Sequence, residues 1–185
     1  MTVHTVPTIE RLQADDARGA ALWDAYVMAC PQATFFHRAA WQPILRQVFR
    51  HETYFFYALS EGRITGVLPL AQVKSVLFGH ALTSLPFAVY GGVAADDEAS
   101  ALMLEQAAQD LAKKLGAEHL ELRHITARHS DWPTQDLYVT FRKAILPEEE
   151  ANMLAIPRKQ RAMVRKGIKN GLVGKVDAGD RKSVV

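Results

Sequence analysis

Residues that could contact a substrate are concentrated at Tyr90, Gly91 and Gly92, which follow an apolar, strand-like stretch. Paired glycines let a backbone approach a neighbouring group closely or adopt a positive φ. A peptide or a sugar could lie against such a backbone, so these three residues are a candidate substrate-binding segment. A simple turn or bulge is the alternative interpretation.

A second candidate site is basic. Residues 158–175 contain seven lysines and arginines and no acid. Residues 158, 161, 165 and 169 recur at helical spacing and share one helix face. That face could bind the phosphates of tRNA or of a nucleotide- or lipid-linked precursor, and a solvated helix face is the alternative. The candidate residues are Arg158, Arg161, Arg165, Lys166 and Lys169.

Acid–base residues are present without a recognisable catalytic pattern. His119, Glu121 and Arg123 alternate along a predicted strand, where they could do acid–base or metal chemistry or form a charge network. His37 could be a general base or a histidine packed by aromatic residues. The catalytic residues therefore remain unassigned.

Metal chemistry finds little support in the sequence. His124 and His129 flank a polar loop without the spacing of metal ligands. The single Cys30 excludes an internal disulfide and a cysteine-based metal site. We predict no metal site.

Composition is that of a globular protein, with 49% hydrophobic and 23% charged residues in 185. No apolar run approaches the ~20 residues of a membrane span, and the first residues lack the features of a signal peptide. We therefore expect a cytoplasmic location. The net charge is +2, so the basic segment leaves about −5 on the rest of the chain and should face an anionic partner.

Hydrophobic periodicity predicts an α+β fold with a mixed, mostly antiparallel sheet flanked by helices. Pro69 lies inside a predicted strand, which requires an edge position or a bulge, and residues 78–80 should form a turn. Strands are predicted at 2–12, 53–59, 64–76, 82–85, 118–123, 138–146 and 171–176, and helices at 16–29, 38–50, 97–115 and 157–170. Pro43 inside the second helix predicts a kink there or a start near Trp41.

Several local strings together resemble the FemAB-like branch of the GNAT acyltransferase superfamily, in particular its exosortase- and exopolysaccharide-associated members. The resemblance spans residues 41–171. It rests on Trp41 with the strings at 49–51, 66–70, 84–87, 90–92 and 120–123, and on the basic helix at 161–171.

This resemblance implies transfer of an acyl or aminoacyl group to an amine of a cell-wall or exopolysaccharide-related acceptor. Aminoacyl-tRNA is a possible donor, because the best-known relatives use it, and no bound cofactor is expected. Acetyl-CoA is not the expected donor, because the pyrophosphate-cradling loop of GNAT enzymes has no match. Residues 169–174 have basic and glycine content at the wrong spacing.

The same resemblance implies two domains. We expect a GNAT-like N-terminal domain at 1–150 and the start of a truncated second one at 151–179. Residues 180–185 match the translation of a common sequencing-adapter string and are expected to be an artefact. Such a fragment should be inactive and should self-associate through its exposed domain interface. The alternative function is a non-catalytic module whose basic helix binds nucleic acid or another anionic partner.

Overall fold

The computed structural model describes residues 6–75, 79–135 and 139–174. The chain divides into two compact units, residues 1–134 and residues 135–185. The first unit contains the sheet and the helices that pack on it, and the described part of the second contains two helices.

A single sheet forms the centre of the first unit. Its strands are β1 (Thr8–Leu12), β2 (Glu52–Ser60), β3 (Arg63–Ser75), β4 (Gly79–Thr83), β5 (Ala94–Ala95) and β6 (His119–Glu121). The order is β1-β2-β3-β4-β6, and β5 also pairs with β3. The pairing of β4 with β6 is parallel and the others are antiparallel. The predicted mixed, mostly antiparallel α+β fold is confirmed.

The helices of the first unit are α1 (Ala17–Ala29), a 3₁₀ helix (Phe35–His37), α2 (Trp41–Gln47) and α3 (Glu98–Leu115). Asp16 caps α1 by accepting a hydrogen bond from Gly19 N, and Asp97 caps α3 by accepting one from Ser100 N. Gly116, with φ of 65°, ends α3. Helix α2 begins at Trp41, so that Pro43 falls in its first turn, where a missing N–H is tolerated, and it ends at Gln47, before the predicted end at residue 50.

Both faces of the sheet are buried. One hydrophobic cluster joins α1 and α2 to the sheet and includes Trp23 and Phe55. The other joins α3 to the opposite face and includes Leu68 and Leu104. Successive residues of β3 alternate between the clusters, Val67 in the first and Leu68 in the second, because side chains on a strand point to opposite faces.

Pro69 occupies neither position that the sequence suggested. Strand β3 is interior to the sheet, and its register shift lies opposite Ala58 and Leu59 instead. Pro69 faces Phe55 of β2, but on its other side β3 pairs with β5 only at Gly66 and Val67 and with β4 only from Ala71 onward. The proline lies in the gap between these partners, where a missing N–H breaks no ladder.

The described part of the second unit contains α4 (Glu149–Leu154) and α5 (Arg158–Lys169). Helix α5 confirms the predicted basic helix. The strand predicted at 138–146 is wrong for residues 139–146, which pair with no strand in the described ranges and leave Val139, Phe141 and Ile145 exposed. Without a partner, strand backbone groups have no ladder to join.

Residues 171–174 also form no strand. Gly171, with φ of 69°, and Leu172 end α5 by hydrogen bonding to Ile168 O and Gly167 O. The predicted turn is wrong for Gly79 and His80, which begin strand β4. Residues 2–5, 76, 78, 138, 175 and 176 of the predicted elements, and residues 180–185, lie outside the described residues. No helix in the described ranges is long and apolar enough to cross a membrane.

Candidate active site

A cavity of about 470 Å³ opens in the first unit between two chain segments. Residues 90–93 form one wall, and residues 123–128, which follow β6, form the other. The volume suits a small molecule or the reactive end of a larger one. The lining residues are Gln32, His37, Tyr90, Gly92, Val93, Arg123, His124, Ile125, Thr126, Ala127 and Arg128.

The first wall belongs to a segment that leaves the sheet, residues 84–93. Thr83 lies opposite Ala71 and Ala94 lies opposite Val67, so the chain departs from β3 and returns to it nearby. Within this segment Leu85 and Phe87 have φ of 57° and 68°, a region that bulky residues rarely adopt. Burial of Leu85 and stacking of Phe87 on Phe49, 4.2 Å between ring centroids, hold this conformation.

Gly91 and Gly92 are required by close packing and not by a positive φ, which neither has. Both backbone N–H groups donate to Arg123 O, at 3.1 and 2.9 Å. A Cβ on Gly91 would lie 2.7 Å from Leu85 Cβ, and one on Gly92 would overlap the His124 ring. The glycine N–H groups therefore bind the protein itself, and a ligand could meet the Gly92 backbone only from the cavity side.

Arg123 fastens the two walls together. Its guanidinium donates to Glu121 Oε1 and to Ala88 O, each at 2.7 Å, and its backbone N–H donates to Ser84 Oγ at 2.7 Å. The predicted charge network on this strand thus includes a Glu121–Arg123 ion pair.

His37 is held in one neutral form. Thr34 N–H donates to Nδ1 at 3.0 Å, so the ring proton is assigned to Nε2, which donates to Gly92 O at 2.8 Å. Burial lowers the pKa of His37. Because both ring nitrogens are engaged with backbone groups, His37 positions the Gly92 carbonyl and has no free nitrogen for general-base catalysis.

His124 is the second neutral imidazole of the cavity. Val93 N–H donates to its Nε2 at 3.0 Å, which assigns the ring proton to Nδ1. Burial lowers the pKa of His124 to about 4, and the opposing effect of the Glu105 carboxylate does not offset it. The Glu105 oxygen is 3.9 Å from Nε2, too far for a hydrogen bond, so the two do not form a charged pair at neutral pH.

The buried side chain of Glu105, on α3, binds residues of the second wall and of the loop that follows it. Its carboxylate is 2% exposed and accepts from Arg128 Nε at 2.7 Å and from His129 Nε2 at 2.8 Å. Arg128 also binds Glu98 at 2.9 Å, and Trp132 stacks on His129. Within the described ranges no group of side chains is suited to a metal ion.

The groups left for a ligand lie mainly on the second wall. The backbone N–H groups of residues 125–128 donate to no other described residue, and the Tyr90 hydroxyl also has no partner among those residues. The described residues that line the cavity include no aspartate or glutamate. These amides and hydroxyls are hydrogen-bond donors of the kind that can bind a carbonyl oxygen or a developing oxyanion.

The GNAT resemblance raises the question of whether coenzyme A could bind. Its diphosphate would fit poorly at the N-terminus of α3, the helix after β5. Asp97 accepts both the backbone N–H and the hydroxyl of Ser100, so the N-terminus of α3 is already capped. Asp96 and Glu98 place further carboxylates beside it. A diphosphate would meet charge repulsion there in place of the free amides of a phosphate-binding helix.

The structure brings together part of the predicted site. Tyr90 and Gly92 line the cavity, and Gly91 packs against Leu85 behind that wall. Sequence reasoning missed Glu105, although one signal was available. Glu105 falls between Ala101 and Ala108 on the apolar stripe of α3, where an acid must find a buried partner.

The basic residues of α5 belong to the second unit. Arg161 donates to Leu154 O and Ile156 O at 3.3 and 3.2 Å and so ties α5 to the end of α4. The other cations of the helix form no ion pair within the described ranges, and they are Arg158, Lys159, Arg165, Lys166 and Lys169.

Comparison with known proteins identifies the fold. No protein-family model and no curated protein matches this chain. Three solved structures align with about three quarters of it and with nearly all of their own chains. An aminoglycoside acetyltransferase from an uncultured soil metagenomic sample, solved with sisomicin, is 18% identical over 76% of this chain and 97% of its own, with a TM-score of 0.52.

A second such enzyme from soil metagenomic DNA is 14% identical over 77% of this chain and 100% of its own, with a TM-score of 0.53. A GNAT family acetyltransferase of Staphylococcus aureus is 10% identical over 76% of this chain and 100% of its own, with a TM-score of 0.49. At these identities the likeness concerns the fold alone. The chain shares the mixed α+β fold of the two aminoglycoside acetyltransferases.

Proposed function

We propose that this protein is part of a FemAB-like transferase that moves an acyl or aminoacyl group to an amine of a cell-wall or exopolysaccharide-related acceptor. The observation that carries the proposal is the cavity between residues 90–93 and 123–128, which combines the Tyr90 hydroxyl with backbone N–H groups that have no partner among the described residues. The GNAT fold supports acyl transfer as the reaction class. The FemAB-like strings support the acceptor class.

The proposed reaction places the acyl carbonyl against the amides of residues 125–128. The acceptor nitrogen forms a bond to the acyl carbon, the bond from that carbon to the leaving group breaks, the amine loses a proton and the leaving group gains one. The backbone amides would stabilise the oxyanion. The Tyr90 hydroxyl and the His124 Nδ1–H would serve as donors to the leaving group.

Aminoacyl-tRNA remains the proposed donor class, with a coenzyme A thioester as the alternative to be tested. The carboxylates at the start of α3 support this preference. No base is assigned, because His37 has no free ring nitrogen and the described residues that line the cavity include no aspartate or glutamate.

The first experiment measures binding of the acceptor and not turnover. The resemblance implies that full turnover requires a second domain, which begins near residue 151. Calorimetric titrations would use a cell-wall peptide with a free lysine amine and an oligosaccharide with free amino groups. Tyr90→Phe, which removes one hydroxyl, should weaken binding about three- to tenfold. Tyr57→Phe makes the same change on β2, outside the lining residues, and should leave binding unchanged.

Transfer is then followed by the mass gained by the acceptor, with aminoacyl-tRNA or acetyl-CoA as donor. Any turnover should fall about a hundredfold in Tyr90→Phe and persist in Tyr57→Phe. Thr126→Val removes the hydroxyl of another residue that lines the cavity. If neither acceptor binds, the cavity is not the acceptor site. The same conclusion follows if neither Tyr90→Phe nor Thr126→Val changes binding.

A second candidate function, binding of an anionic partner, is supported by α5. Its five cations without a carboxylate partner in the described ranges are all exposed. This function needs no cavity, so substitutions at Tyr90 should leave it unaffected.

A further inference from the structure

The apolar side chains of α5 lie within one sector of the helix, and its cations occupy the remaining surface. Val164 and Ile168 are four residues apart and share a face, and Met163 lies on the surface next to it; Met163, Val164 and Ile168 are 66%, 39% and 62% exposed. Leu172 extends this apolar face, because its side chain folds back toward Gly167 after the helix ends. Exposed apolar surface next to a dense basic face is unusual for a helix that is simply solvated.

We propose that α5 lies on an anionic lipid bilayer, with its apolar face in the interface and its cations facing the headgroups. This deepens the second candidate function and rests on it, and it is independent of acyl transfer. A helix with strongly separated basic and apolar faces partitions into the boundary between headgroups and acyl chains. Anionic headgroups attract its lysines and arginines within about a Debye length.

The arrangement favours lipid over nucleic acid as the anionic partner. A nucleic acid would engage the cations and leave the apolar face in water. A bilayer interface accommodates both faces at once. Within the described ranges α5 contains no aromatic side chain on which a base could stack.

Some of the cations border the apolar sector and should matter most on a membrane. Lys159 precedes Met163 by four residues and Lys166 follows it by three, so both lie beside it on the helix surface, as Arg165 lies beside Ile168. Arg158 and Lys169 share the side that faces away from the apolar residues. A membrane should therefore depend more on Lys159 and Lys166, and a nucleic acid on Arg158 and Lys169.

The test is co-sedimentation of the full 185-residue chain with vesicles of phosphatidylcholine, with and without phosphatidylglycerol. We expect binding only to the anionic vesicles, and weaker binding as salt is raised. Lys159→Glu with Lys166→Glu should reduce partitioning about tenfold or more, and Arg158→Glu with Lys169→Glu about threefold. Met163→Ser with Ile168→Ser, which keeps every charge, should also reduce it about tenfold.

Matched controls are available on α3. Lys113→Glu with Lys114→Glu reverses two exposed charges, and Leu102→Ser removes one exposed apolar side chain, and both should leave partitioning unchanged. Circular dichroism of every variant excludes loss of folding as the cause of weaker binding.

The outcomes separate this inference from the function on which it rests. Equal binding to neutral and anionic vesicles, or no effect of the apolar substitutions, overturns the membrane proposal. If the chain instead binds tRNA, and the Arg158 and Lys169 substitutions have the largest effect, the anionic partner is a nucleic acid. If neither vesicles nor tRNA bind, the second candidate function fails as well.

Discussion

The cavity walls and helix α5 differ in how they satisfy their polar groups. In the walls, Arg123 is paired with Glu121, Arg128 with Glu105, and the ring of His37 with two backbone groups. Among the described residues, five α5 cations have no carboxylate partner. The walls are therefore fixed before any ligand arrives, whereas α5 presents an exposed cationic surface to water.

Burial explains this difference. A polar group removed from water loses its hydration and must recover it through protein hydrogen bonds. An exposed lysine or arginine keeps its water, and an ion pair there contributes little to stability. Equivalent substitutions should consequently have large effects on stability at the cavity and small ones on α5.

The largest effect should come from Glu105→Gln. The change leaves Arg128 and His129 without their buried carboxylate, and we expect the free energy of unfolding to fall by about 3 kcal/mol. Glu98→Gln acts on the same arginine from a position that is 66% exposed and should cost less than about 1 kcal/mol. Arg165→Gln on α5 should cost less than about 0.5 kcal/mol. Urea unfolding of the three variants compares them directly, and equal losses would remove the proposed distinction between cavity and α5.

A smaller effect is expected when a methyl group is added to a glycine. Gly92→Ala places a Cβ in the His124 ring and should cost about 2 kcal/mol through forced displacement of the two walls. Gly167→Ala adds the same group to α5, where the nearest atom is 3.4 Å away and the higher helix propensity of alanine should leave stability unchanged or slightly raised. Thermal or chemical denaturation measures both, and a harmless Gly92→Ala would contradict the tight packing of the walls.

The smallest effect is a pH dependence that originates at His124. Its pKa is about 4 in the folded protein and near 6.5 when unfolded. Between these values the unfolded chain binds more protons, so stability falls as the pH is lowered from about 6.5 toward 4. His37, whose pKa is also lowered, adds to the loss in the same direction.

Between pH 7 and pH 5, the free energy of unfolding of His124→Asn should fall by about 1–2 kcal/mol less than that of the unsubstituted protein. Urea unfolding at each pH measures this difference. Arg165→Gln should retain the full dependence, because arginine does not titrate in this range. An identical pH dependence in His124→Asn and the unsubstituted protein would show that His124 is not the group responsible.

Secondary structure was predictable wherever it depends on neighbours in the chain. Helix α3 was expected from its apolar stripe, its Asp97 cap and Gly116, all of which act within one or two turns. Helix α5 and the interior strands β2 and β3 follow in the same way from periodicity. The strand predicted at 138–146 failed over 139–146 because a strand also requires a partner, which local sequence does not specify.

The candidate site was predictable only in part. Paired glycines at 91 and 92 indicated a close backbone approach, but not which group would be approached. His37 meets Gly92, Glu105 meets Arg128, and His124 meets Val93 only because the fold returns distant segments to one place. The same fold placed Pro69 in a gap between two strands, a position that its sequence neighbours could not reveal.

The sequence by itself determined the helices, the alternation of the interior strands and the basic and apolar faces of α5, because these depend on residue types a few positions apart. Tertiary structure alone decided the protonation states of the two cavity histidines and the partners of Glu105. Those properties depend on burial and on hydrogen bonds between residues far apart in the chain, which exist only when the two walls meet.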